Sequence, residues 1–272
     1  MPITYRKSVS SLEEFLESVR KLRLHWRVEE GAPTKGDETQ LWYRGQRKGT
    51  SWTLIPRIYR DEFSEADEDE VRFEFDSRGR QLRQGGLPND NWEKYFLMQH
   101  YGAPTRLLDW TDNPLVALFF AVDRFEKEQC EADSKEQEDA AVWVLDPKWL
   151  NRHLKKGITG PMLHTWDDAD SYLGDPFEHT IRVQKPAAMD PPHVDPRLSI
   201  QASHFVIFGL TKDLTKMTAV RKRASRLAKI PIAKESLDAI QDELEICGTT
   251  WGALFPDLEG LCKGIRKRWR KK

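Results

Sequence analysis

The sequence predicts an α+β fold. Candidate strands fall at irregular intervals with helices between them, and the strand–helix–strand rhythm of a doubly wound sheet is missing. The chain has 272 residues, of which 39% are apolar, enough for one large core or two small ones. Charged residues make up 32%, so the surface is heavily charged, yet the net charge of −1 offers no global attraction for nucleic acid. The charge is uneven, acidic over 62–74 and strongly basic over 263–272.

Taken in order, Ser11–Trp26 reads as an amphipathic helix. Ser10 or Ser11 caps it, and Leu12, Phe15, Leu16, Val19, Leu22 and Trp26 recur at helical spacing. Gly31–Asp37 is a loop and Thr39–Arg44 a strand ending at Gly45. Trp52–Tyr59 is extended and broken by Pro56. Helices are expected over Ser64–Leu82 and Trp92–Tyr101. A charged linker, Glu126–Glu138, precedes a buried strand at Ala140–Leu145 and a short helix at Pro147–Leu154. Gly157–His179 is turn-rich, the kind of long loop that is often functional. Strands are expected at Ile181–Ala188, Ile200–Phe208 and Leu227–Ile232, with a turn at Pro191–Pro196. A helix at Lys234–Cys247 is stopped by Gly248, and Leu254–Trp269 closes the chain as a turn and helix.

The chain is organised around Gln99–Val122. Pro104 turns the backbone into a strand at Thr105–Thr111, and Asn113 with Pro114 starts an apolar helix that runs to Val122. Alternation puts Thr105, Leu107, Asp109 and Thr111 on one strand face and Arg106, Leu108 and Trp110 on the other. Hydroxyls and a carboxylate therefore gather beside a helix N-terminus, which suits a polar or anionic ligand or else a braced buried corner. Ala117 and Ala121, four apart, give the helix a flat side for close packing.

Three cysteines without a C-x-x-C argue for a reducing compartment. No stretch is long and apolar enough to span a membrane, and no membrane partner is expected. The expected location is the cytosol. Ten tryptophans are many, so several are expected at the surface or lining a cleft. His164, His179, His193 and His204 lie near Asp167, Asp168, Asp170 and Asp175, but not at metal-ligand spacing, and no metal is expected. Phosphate-cradling and nucleophile-elbow motifs are absent. Glu70 and Glu74, one turn apart, read as a solvated acidic face.

Two features invite a ligand. Tyr43-Arg44-Gly45-Gln46 sits at a strand end, where the glycine admits a close ligand or backbone and the Arg44 fork suits diphosphate or carboxylate. The alternative is an Arg44 paired with a structural acid such as Asp109. The basic tail 266–272 fits RNA, DNA or an acidic partner, or else a helix end favoured by the dipole.

The segments LWYRGQ (41–46), WTLIPRIYR (52–60), FLMQHYGAPTRLLDWTDNPLVALFFAV (96–122), AVWVL (141–145), IQASHFVIFG (200–209) and LFPDLEGL (254–261) together resemble the FRG domain family. The resemblance implies a single-domain protein with an N-terminal helix at 11–27, a core over about 36–233 and a helical segment at 234–272. Its motif order is similar to that of the ADP-ribosyltransferase superfamily, which implies a split two-sheet α+β core gripping NAD as substrate, without a metal. Arg44 matches the superfamily's early Arg or His, Thr111 its Ser/Thr strand, and Gln201 its late acidic or amide residue. Asp109 is placed to supply the charge that Gln201 lacks. Tyr43, Gly45, Gln46, His100, Thr105 and Arg106 are the expected cofactor contacts. Two functions follow as expectations. One is an NAD-consuming transferase or glycohydrolase, acting on a protein or nucleic-acid acceptor as a bacterial toxin or phage-defence effector. The other is a non-catalytic nucleotide- or nucleic-acid-binding module.

Overall fold

The computed structural model describes residues 3–5, 7–29, 40–60, 63, 67–82, 86–124, 138–152, 163–164, 173–177, 185–191, 199–217, 220 and 225–269. Most of the expected linker and of the Gly157–His179 loop lies outside the described residues, as do the expected segments 31–37, 181–184 and 192–196.

Among the described residues, eight strands form one mixed sheet: β1 Ile3–Thr4, β2 Trp42–Gln46, β3 Leu107–Thr111, β4 Ala140–Leu145, β5 Leu163–His164, β6 Ala187–Asp190, β7 Ser203–Ile207 and β8 Leu227–Ile232. Their order is β1-β8-β4-β2-β3-β7-β6-β5, antiparallel except for β1 with β8 and β5 with β6. The fold is α+β as expected. Two separate sheets are not formed, because β2 is bonded along both edges and joins the halves. The two junctions of β2 differ greatly, however. Five residue pairs tie β2 to β4, but only Tyr43↔Thr111 ties β2 to β3.

The helices are α1 Leu12–Glu29, α2 Asp67–Leu82, α3 Asn91–His100, α4 Pro114–Val122, α5 Pro147–Asn151, α6 Leu237–Ile246, α7 Trp251–Leu254 and α8 Leu258–Trp269. At the start of α1, the Glu14 amide donates to Ser11 Oγ at 3.2 Å and the Ser10 amide donates to Glu14 Oε2 at 2.8 Å, satisfying orphan donors on both sides. Asn113 caps α4 by accepting from the Leu115 amide at 2.9 Å. Asp90 caps α3 in the same manner.

Paired residues of antiparallel strands share a face. On one face, Tyr43, Val144 and Ala228 join α1, α4 and α6 in a first apolar cluster. Across the β2–β3 junction on that same face, Leu107, Phe205 and Ile207 join α3 in another. The opposite face carries a third, shared by both halves and built on Trp42, Leu108, Trp110, Trp143 and Phe208. Of the nine described tryptophans, seven are buried, and only Trp52 and Trp269 are exposed. Trp52, Trp110 and Trp251 border a cleft, so several tryptophans do lie at the surface or line a cleft as expected, while the remaining buried indoles pack in the core.

Candidate functional site

A cleft of about 610 Å³ opens where β2 and β3 part. Its floor is made by the middle residues of these two strands. Arg44 Nη1 donates to the Asp109 carbonyl at 2.7 Å and lies 3.7 Å from the Asp109 carboxylate. The side chains differ in exposure, 17% for Arg44 and 53% for Asp109. Burial lowers the Arg44 pKa to about 10, with Asp109 pulling it back up. Arg44 Nε is buried and finds no hydrogen-bond partner among the described residues. That leaves a donor to be satisfied at the cleft floor.

Asp109 is held from its other side. Gln99 Nε2 donates to Asp109 Oδ2 at 2.8 Å, and Thr105 Oγ1 donates to Gln99 Oε1, which fixes the amide's orientation. Thr111 Oγ1 donates to the Gln201 carbonyl at 2.7 Å and accepts from the Asn113 amide at 3.1 Å. The hydroxyl thus ties β3 to the segment before β7 and to the start of α4. Gln201 Nε2 donates to the Leu254 carbonyl at 3.1 Å, at the end of α7. The next residue, Ala202, has φ 45°, in the left-handed region that an alanine seldom adopts.

Arg44, Asp109, Thr111 and Gln201 all line this cleft, and so do Tyr43, Gly45 and His100. The two readings of Arg44 turn out to be compatible, since the Asp109 pairing itself forms the floor. Three expected cofactor contacts do not line the cleft. Gln46, on the same strand face as Arg44, is buried and used up, accepting from Trp143 Nε1 at 2.7 Å and donating to the Thr53 carbonyl. Thr105 acts one step back, through Gln99. Arg106 is engaged by Glu68, itself 1% exposed, in a network with Tyr95 and Arg72 that locks α2 to α3. Tyr43 lies mainly in the core, where burial raises its pKa to about 12.

Of the two close neighbours that Gly45 is expected to admit, a ligand or another backbone, the structure supplies the backbone. A Cβ there would sit 2.0 Å from the Ala117 carbonyl oxygen and 2.6 Å from the Ala121 nitrogen. The close neighbour is the α4 backbone, and Ala117 and Ala121 are the flat side it meets.

The walls of the cleft carry residues that pattern alone did not single out. Arg47, Trp52 and Tyr101 are among them. Phe120, Trp251, Phe255 and Lys263 make a packed aromatic wall, with Trp251 and Phe255 stacked at 4.6 Å and Lys263 Nζ 4.5 Å over the Trp251 ring. The hydrophobic–aromatic segment after Gly248 was the available signal, but its distance from Arg44 in sequence concealed the contact. Among the described residues, no group of three or more His, Cys, Asp or Glu side chains is placed to hold a metal ion. Asp175 is used to accept from the Phe177 amide and Asn91. His204 stacks on Trp42 and bonds Asp190.

Fold and site define an α+β protein whose central sheet is pinched to one residue pair beside a polar, aromatic-walled cleft. The FRG domain model matches residues 39–130, and the chain carries an FRG domain over that span. No curated protein and no solved structure matches the chain. The matched span contains Arg44, Gln99, Asp109 and Thr111, whereas Gln201 and the Trp251–Phe255 wall come from beyond it.

Proposed function

We propose that the cleft binds NAD as a substrate and that the protein is an ADP-ribosyltransferase or NAD glycohydrolase. One observation carries this reading: the Arg44 guanidinium of β2 and the Asp109 carboxylate and Thr111 hydroxyl of β3 meet in one cleft at the parting of the two strands. Its volume lies within the ~300–1,000 Å³ usual for small-molecule sites. The unpaired Arg44 Nε and the Arg44 charge suit a diphosphate. The aromatic wall suits a flat base. A sheet pinched at one pair also resembles the split core expected from the motif order.

In this reading the nicotinamide–ribose bond breaks with its electron pair leaving on nicotinamide, and positive charge develops on the ribose. The half-exposed Asp109 carboxylate, held by Gln99 and Arg44, stabilises that charge. Water or an acceptor nucleophile then adds to the ribose carbon and gives up a proton, which Asp109 is placed to take. Thr111 orders the Gln201 segment rather than reaching for the reacting atoms, since its hydroxyl is engaged at both ends. An activity that drains NAD fits a toxin or phage-defence effector working in the cytoplasm.

A second reading is favoured by Gln201, whose amide lacks a carboxylate's charge and cannot act as a base. The cleft would then hold a nucleotide without turning it over. Incubation with NAD labelled in the nicotinamide ring separates the two. The enzyme releases nicotinamide, and Arg44→Ala abolishes release. Saturable binding of NAD without release would leave only the binding module.

A further inference from the structure

α8 faces the wrong way for a helix that merely covers a core. Gly260 is buried, and a Cβ there would lie 2.2 Å from the Phe255 carbonyl oxygen. One turn on, Gly264 lies against Gly252. Lys263 is on the same side, over Trp251, and Lys267 pairs with Glu245. The inward face of α8 is therefore glycine and lysine. Its apolar residues, at spacings of three and four, are turned outward: Leu258 78%, Leu261 51%, Ile265 45% and Trp269 79% exposed. At ~100° per residue, Arg266 and Arg268 project on either side of that stripe. Both are exposed. Seven basic residues stand against one acidic residue over 258–272.

We propose that the outward face of α8 docks on an anionic lipid surface. An apolar stripe bracketed by cations, with a tryptophan at its end, is the pattern of a helix lying in a headgroup layer. Such a helix needs only the stripe and not a run long enough to cross. The charge rules out pairing with a second copy through this face, because two such helices would bring their basic residues together. A flat anionic surface meets the stripe and both arginine rows at once, whereas a single acidic helix would lie against one of them.

The full chain is tested by co-sedimentation with phosphatidylcholine vesicles, with and without phosphatidylglycerol, alongside its sedimentation-equilibrium mass in solution. Binding to the anionic vesicles alone is expected. It should weaken by about tenfold or more in both Leu261→Ser/Ile265→Ser and Arg266→Gln/Arg268→Gln. These substitutions are on exposed positions, and unchanged far-ultraviolet circular dichroism verifies folding. Absence of binding to either vesicle overturns the proposal. So does binding that ignores the Leu261→Ser/Ile265→Ser change, or a dimer in solution that this change dissolves.

Discussion

Gly45 is packed too tightly against its neighbour to take a side chain. The α4 backbone crosses so near that an added methyl group would overlap the Ala117 carbonyl. Gly45→Ala should cost at least ~3 kcal/mol or prevent folding, measured by urea denaturation. By contrast Gly248, at φ 79° with open space around it, is constrained only by backbone conformation. Residue identity showed that Gly45 needed a close neighbour but not which one, since that depends on where α4 crosses. The same ambiguity misplaced Gln46, Thr105 and Arg106. Alternation told which strand face each occupied relative to its neighbours. Facing did not decide which of them reach the cleft, since Gln46 shares a face with Arg44 and Thr105 with Asp109; side-chain partners did, Trp143 for Gln46, Gln99 for Thr105 and Glu68 for Arg106. Arg44, Asp109 and Thr111 were legible because a charged or hydroxylated side chain within a largely apolar strand has few structural uses.

At the scale of elements, α4 shows how local signals and packing agree. Its cap, its first-turn proline and its alanine face are all visible in sequence, and all three are used. Asn113→Ala removes the bond to the Leu115 amide and should lower stability by about 1 kcal/mol, while Asn113→Ser should hold most of it. Chemical denaturation of the two variants beside the wild type measures the difference. Strands β4, a continuous apolar run, and β8, apolar apart from Lys229, were equally legible, and their bounds match the expectation. β1, β5 and α7 were not. Two-residue strands exist because a neighbour's edge offers hydrogen bonds, as Ile3–Thr4 does against Ala228–Lys229, and no pattern of their own announces them. α8 was found as a helix, but its inverted orientation follows from Gly260 and Gly264 meeting Phe255 and Gly252.

The whole molecule has two sheet halves joined at the cleft by a single residue pair, with apolar clusters on both sides of the junction and one beneath it. A ligand seated between Arg44 on one half and Asp109 on the other would bridge the junction, so its binding should register as global stability. At a ligand concentration ~100-fold above Kd the gain is about 2.7 kcal/mol, which for a chain of this size raises Tm by roughly 5–10 °C. ADP-ribose is the probe of choice, because it carries the diphosphate and both riboses but has no nicotinamide bond to break. The shift should vanish in Arg44→Ala. Its pH dependence follows from the direction of the Arg44 pKa. Burial lowers that value to about 10, so Arg44 is cationic in both folded and unfolded chains at neutral pH, and its own contribution to stability is flat there. Above about pH 10 the folded chain gives up this proton before the unfolded one does. The penalty for burying the charge is then relieved, so the ligand-free protein gains from this group as pH rises, while the grip on the diphosphate is lost. The ADP-ribose shift should accordingly hold from about pH 6 to 9 and collapse above about 10, measured as the difference between liganded and free protein at each pH. A shift that survives deprotonation, or that Arg44→Ala leaves intact, would place the anion elsewhere than at the β2–β3 junction.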